Sequence, residues 1–231
     1  LEDVIAPITG GSATGIPTEC AEVGPLDVKS VIAMMRDRGL VGSVSPVLGR
    51  RLHAEYGGLP GGIAQQLVAL VYDGWFEQLP DTLRAVRPLA DFRHAELPVP
   101  AGVQEEIDVR LAELDDEAAE VLELLAVLGR PSTSALLERC STNRHVARLI
   151  DRLVRSNLLR RTEREHQEVL QFSHPCAARV IRNRLPKPRR VMRHRALADG
   201  LEGLRRRSAS LEIATHSMKS GDLLRAYPLL D

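Results

Sequence analysis

The run from residue 103 to residue 172 most constrains what this chain can become. Val103, Ile107, Leu111 and Leu114 recur at helical spacing. Asp115 or Asp116 then caps a second stripe of Ala118, Val121, Leu122, Leu125 and Leu128, which Gly129 stops. Pro131 and Ser132 open a short helix through Leu136 and Leu137 to Cys140. Thr142 is placed to cap a longer helix that buries Val146, Leu149, Ile150, Leu153 and Val154, closed by Asn157. Two strand-like runs, 158–162 and 169–172, flank a charged turn. Helix, turn, helix, turn, helix and β-hairpin is the order of a winged helix–turn–helix unit. Composition favours helix throughout: aromatics are 3% of the chain, so its cores must be built from Leu, Val, Ile and Ala.

The flanking segments are also helical. Asp27 is placed as an N-cap, with Val28, Val31, Ile32 and Met35 on one face and Gly39 as the stop. A second helix spans 46–56, with Pro46 tolerated in its first turn. After a turn of Gly57, Gly58, Leu59, Pro60, Gly61 and Gly62, a third carries Ile63, Leu67, Val68 and Val71 and ends at Gly74. Residues 75–100 hold four prolines and no clean period, which predicts a linker or extended arm pinned by Leu79-Pro80 and Leu97-Pro98. Beyond His174, helices are expected over 177–185, 189–204, 208–217 and 223–230, joined by short connections as in the first turns of a helical-repeat array. With no initiator Met, a Gly/Thr/Pro-rich start and a last helical hairpin cut short, the chain reads as an excised piece.

Acidic and basic residues balance at 31 each, but unevenly. Between Ser173 and Arg207 eleven Arg or Lys face only Asp199 and Glu202. The cluster suits nucleic acid or an acidic partner, but on amphipathic helices it reads better as a solvated or interdomain face. Val180, Ile181, Leu185, Met192, Ala196, Leu197 and Leu201 would then turn inward. The candidate recognition helix carries Arg144, His145, Arg148, Arg152 and Arg155, yet residues 103–172 hold fourteen acidic residues to ten basic ones. DNA readers present a net basic surface, so DNA contact is not the favoured reading.

His174, at the end of the strand-like run through Phe172, has three readings: a structural histidine, a metal ligand or a phosphate contact. No second ligand lies at metal spacing. The Gly57 to Gly62 turn opens a helix, a setting for phosphate binding through amides, but no GxxxxGK[ST] occurs in the chain. Alone it reads as a tight turn, and Gly10 to Gly15 reads as a loop. Neither a nucleophile–base pair nor a nucleophile elbow is present, so no catalytic residue is assigned. Cys20, Cys140 and Cys176 are odd in number, widely spaced and expected to be reduced. No apolar run is long enough for a bilayer, so a cytoplasmic chain without membrane contact is expected.

The order of these pieces resembles the STAND class of AAA-related regulatory ATPases, especially the LuxR-type, maltose-activator-like bacterial transcription regulators. Val23-Gly24-Pro25-Leu26 is similar to the family's approach to a helical lid, and Gly58-Leu59-Pro60 to its glycine-x-proline element. Phe172-Ser173-His174 and the later run 189–194 are similar to its passage from winged helix into sensor helices. The resemblance implies a mainly α fold: 1–25 as tail of a nucleotide-binding domain or linker, 26–98 as lid and linker, 99–173 as winged helix, 174–231 as the start of a TPR-like sensor array. It implies ATP or ADP in the parent protein but no cofactor in this piece. Gly58 and Pro60 would lie by the nucleotide and His174 near its phosphates, all contributed to a nucleotide-binding domain outside this sequence. The implied partners are that domain, an effector domain (DNA-binding, kinase or cyclase) and a signalling protein or small-molecule inducer. Two departures stand out: Leu59 replaces a polar residue of the family, and Pro175 follows His174. The alternative is a free-standing winged-helix DNA-binding protein.

Overall fold

The first described helix begins where a carboxylate satisfies its open amides. In the computed structural model, which describes residues 24–40, 42–203 and 209–229, Asp27 accepts the Ser30 amide at 2.7 Å and starts α1 (Val28–Asp37). Two further helices follow, α2 (Val44–Tyr56) and α3 (Pro60–Tyr72). Pro46 lies inside the first turn of α2, where its missing N–H costs little.

The stretch read as a linker is folded, which corrects that expectation. Phe76–Gln78 (β1) pairs antiparallel with Leu83–Ala85 (β2), and α4 (Leu89–His94) follows. Trp75, Phe76, Phe92 and Leu97 are all buried here. The Phe92 ring packs 5.3 Å from Trp75 and 5.2 Å from Phe76, centroid to centroid. Burial is carried by three large rings on very short elements, so no apolar period announces it.

Next come α5 (Ala101–Ala112), α6 (Asp116–Leu128), α7 (Ser134–Cys140) and α8 (Val146–Arg155). Asp115, one of the two residues predicted, caps α6 by accepting the Ala118 amide, and Gly129 ends that helix in the left-handed region. Thr142 does not cap α8. Its hydroxyl donates to the Glu120 carboxylate, Asn143 Oδ1 accepts the His145 amide at 2.7 Å, and the helix starts at Val146. Val154 is only partly buried.

Strands β3 (Leu159–Arg164) and β4 (Gln167–Phe172) form the second hairpin, in register from Leu159↔Phe172 to Arg164↔Gln167. Its two-residue turn, Glu165 and His166, takes φ of 50° and 61°, the hand that matches strand twist. Ser132 and Leu170 exchange backbone hydrogen bonds of 3.0 and 2.7 Å, fastening the hairpin to the α6–α7 loop.

The chain continues through α9 (Ala177–Arg184), α10 (Lys187–Glu202), α11 (Ser210–Ser220), α12 (Leu223–Ala226) and a 3₁₀ turn, Tyr227–Leu229. The expected helix ends at Leu204, Ser208 and Leu230 lie outside the described residues, as do residues 1–23 with Cys20 and Val23. Met192, expected inward, is 63% exposed. The described chain is thus mainly helical with two small antiparallel hairpins. No described helix is long and apolar enough to cross a membrane.

Two apolar cores result among the described residues. The first gathers α1 to α5 with β1, and the second gathers α6 to α11 with the β3–β4 hairpin. Helix α9 serves both. Ala177 and Val180, with Cys176 just before the helix, enter the first core, whereas Ile181, with Leu185 just after the helix, enters the second.

Candidate functional site

The residues singled out from sequence gather around Tyr56, the last residue of α2. Gly57 ends that helix with φ +60°, its N–H reaching His53 O at 2.8 Å. Gly58 follows at φ +79°, and a Cβ there would stand 2.2 Å from the Leu26 carbonyl oxygen. Only glycine fits both the backbone hand and the close approach. The Gly58 carbonyl accepts the Leu26 amide at 2.9 Å. The Gly24-Pro25-Leu26 segment and the glycine–proline turn, far apart in sequence, are therefore joined.

Leu59 precedes α3 in an extended conformation, its side chain 62% exposed, and Pro60 occupies the first helical turn, also exposed. The α3 N-terminus has no side-chain cap, so among the described residues its first-turn amides meet no side-chain acceptor. A Cβ on Gly62 would come 2.5 Å from the Tyr56 ring, so the turn folds back over Tyr56.

Tyr56 is 5% exposed and sits in a hydrogen-bond chain that sequence reasoning missed. Its hydroxyl donates to Gln66 Oε1 at 2.7 Å, and the Gln66 amide donates to Pro98 O at 2.9 Å. The Cys176 thiol lies 3.3 Å from the same hydroxyl. With the phenol proton committed to Gln66, the thiol is the donor of that contact. Arg179 Nη2 in turn donates to Cys176 Sγ at 3.0 Å. Burial, followed by the neighbouring thiol, raises the Tyr56 pKa far above its ordinary value. Tyr56 and Cys176 stand 120 residues apart, so no local spacing points to the pair.

His174 lies beside this chain, its ring 6.1 Å from the Tyr56 ring and edge-on to it. Its Nδ1 accepts the Cys176 amide at 3.1 Å, which fixes the neutral tautomer with the proton on Nε2. Burial lowers the His174 pKa, Arg179 and Arg110 adding to the effect and Glu106 opposing it. Among the described residues Nε2 has no hydrogen-bond partner. His174 lines a cavity of about 20 Å³ together with Glu106, Arg110 and Asn157. Gly58 and Pro60 are not among the walls of that cavity, so the turn and the histidine are linked through Tyr56 and not through it.

Four of the eight described cations in the arginine tract, Arg182, Arg184, Arg189 and Arg193, are held by carboxylates of other segments. Arg193 donates to Glu120 Oε1 at 2.8 Å and Glu123 Oε2 at 2.9 Å, and Arg189 also reaches Glu123 at 3.0 Å. These carboxylates are 6% and 7% exposed, so the pairs clamp α10 onto α6 with little solvent screening. Arg184 pairs with Asp108, Arg182 with Glu96, and Arg225 with Asp199 and Glu202. On α8, Arg152 is held by Asp115 at 2.7 Å, and Asp151 is taken by Arg161. Arg144, Arg148 and Arg155 are exposed without ion pairs among the described residues.

Cys140 and Cys176 are free thiols, and burial pushes the Cys140 thiol up to about 12, away from reactive thiolate character. Among the described residues no group of three or more His, Cys, Asp or Glu is placed to hold a metal ion. No protein-family model, no curated protein and no solved structure matches this chain.

Proposed function

We propose that the chain is a regulatory module of a signal-gated ATPase switch of the STAND type, drawn from a bacterial transcription regulator. In this reading residues 26–98 are the lid, 99–173 a winged helix and 174–231 the first helices of a TPR-like sensor array. The observation that carries it is the 2.9 Å bond between Leu26 and Gly58. It brings together the two segments whose order suggests a lid, and Tyr56 extends that contact to His174 at the start of the C-terminal helices. The three-helix-and-hairpin segment 116–172 supports the winged-helix part in element order.

The nucleotide would supply charge that differs between two arrangements, and this chain's residues would read it. His174 carries a neutral ring with an unpartnered Nε2–H, a donor suited to a phosphate oxygen. In the described packing its cavity of about 20 Å³ has room for roughly one water, not a phosphate. The histidine is therefore withdrawn in this arrangement, and engagement requires movement of α5. That gives the two states distinct contacts, as a ligand-driven population shift requires.

The test uses the parent protein with its ATPase core. His174→Ala should change nucleotide exchange and basal activation, and wild-type values for both would remove His174 from the switch. A second reading, a free-standing DNA-binding protein, is favoured by the unpaired Arg144, Arg148 and Arg155 around α8. Salt-tolerant, sequence-selective duplex binding by the 231-residue chain would transfer the assignment to it.

A further inference from the structure

Between the first core and the C-terminal helices runs a cleft of about 780 Å³, walled by side chains from α2, α4, α6, α9, α10 and α11. Its volume is within the range of about 300–1,000 Å³ common to small-molecule sites. Six cationic side chains line it, Arg51, Arg179, Arg182, Lys187, Arg190 and Lys219, against two carboxylates, Glu55 and Glu96. The surplus is four positive charges. Both carboxylates are already engaged: Glu55 by Arg51 at 3.3 Å and Glu96 by Arg182 at 3.1 Å. Arg51 also donates to the carbonyls of Phe92 and Ala95. Arg179, Lys187, Arg190 and Lys219 have no carboxylate partner among the described residues.

Arg179 is the decisive member. It is 8% exposed, its Nε has no hydrogen-bond partner, and its Nη2 has only the Cys176 thiol. A guanidinium buried against a weak sulfur acceptor keeps most of its desolvation cost. An anion in the cleft, which Arg179 helps to line, would offset part of that cost through its charge. Lys219 and Arg190 make the same region electropositive, and both disfavour protonation of His194 in the cleft wall, after burial and His216.

We propose that this cleft binds a small ligand carrying at least two phosphate groups, seated between α9, α10 and α11 with Arg179 at its inner end. The surplus of four charges matches a bisphosphate or diphosphate better than a single phosphate. The site is distinct from the Gly58, Pro60 and His174 constellation and does not rest on the switch reading. A nucleic-acid backbone is the weaker occupant. Its phosphates would meet the exposed Lys187, Arg190 and Lys219, whereas Arg179 is 8% exposed and lines the cleft.

The test is calorimetric titration of the whole chain with inorganic pyrophosphate at low ionic strength. Saturable one-to-one binding is expected, with orthophosphate at least about tenfold weaker, one lost charge-assisted contact being enough for that factor. Arg190→Glu and Lys219→Glu, at exposed positions, should each weaken pyrophosphate binding by about tenfold or more with unchanged circular dichroism. Arg148→Glu on α8, outside the cleft, should leave it unaltered. Absence of saturable binding, equal losses in Arg148→Glu, or orthophosphate as tight as pyrophosphate would overturn the proposal. Displacement of pyrophosphate by a stoichiometric amount of short duplex DNA, with the same two reversals abolishing DNA binding, would overturn it in favour of a nucleic-acid surface.

Discussion

The two cores are closed by different chemistry. The buried tyrosine, tryptophan and phenylalanine rings, Tyr56, Trp75, Phe76 and Phe92, all belong to the first core, where short irregular elements wrap around them. The buried members of the second are aliphatic apart from Cys140, and regular helices supply most of them. Their polar seams differ as well. The first is joined to α9 by the chain Gln66, Tyr56, Cys176 and Arg179, which has a charge only at its far end. Within the second, α6 and α10 are clamped by Glu120 and Glu123 against Arg189 and Arg193. Large rings can organise a core without sequence periodicity, whereas an aliphatic core needs periodicity and here adds ion pairs to fix how its helices meet.

The largest expected effect lies on the aromatic side. Phe92→Ala removes the ring that both Trp75 and Phe76 pack against and should cost about 4 kcal/mol in urea unfolding. The single tryptophan, Trp75, reports that core by fluorescence, while circular dichroism reports the helices of both. A loss below about 2 kcal/mol would break the claim that rings carry the first core. Next is Arg193→Met, which leaves Glu120 and Glu123 buried with only Arg189 beside Glu123. About 3 kcal/mol should be lost, with little change on raising salt because these charges are shielded from solvent. A strongly salt-dependent loss would show the clamp to be a surface pair.

The smallest effect is the part of the pH slope contributed by a histidine pair beside the second core. His194 and His216 share a contact of 2.8 Å between their Nδ1 atoms. Burial, then His216, Lys219 and Arg190, brings His194 down from 6.5 to about 4. Burial also lowers His216, with Lys219 and Arg130 acting in the same direction and Glu212 against it. A depressed folded pKa means that the unfolded chain binds protons first. Stability should be full above pH 6.5 and fall as the pH drops towards about 4, by roughly 1–2 kcal/mol in all. Chemical denaturation across that window measures it, and His194→Gln should flatten the slope. An unchanged slope would place the titration elsewhere.

These differences also set what could be read from sequence. The α6 stripe and its Asp115 and Gly129 boundaries were legible because cap, period and stop agreed. The Thr142 cap was misplaced because its hydroxyl serves Glu120, a partner on another helix. Residues 75–100 were opaque because prolines interrupt the period while Trp75 and Phe92 do the packing. Within the candidate site, Gly58 was visible as part of a glycine-rich turn, but its contact with Leu26 was not. Arg179 looked like one more member of a basic tract, and only the fold shows it interred beside a thiol.

Helix α9 is eight residues long, yet it is mortared into both walls of the molecule. Any parting of the two halves must choose one of its faces as the fracture line. Failure on the face of Cys176, Ala177 and Val180 would pull the thiol from Tyr56 while α9 stayed with the second half. Failure on the face of Ile181 and Leu185 would leave the thiol in place and prise the helix from α6. A label that senses the surroundings of Tyr56 would therefore tell which seam gives way.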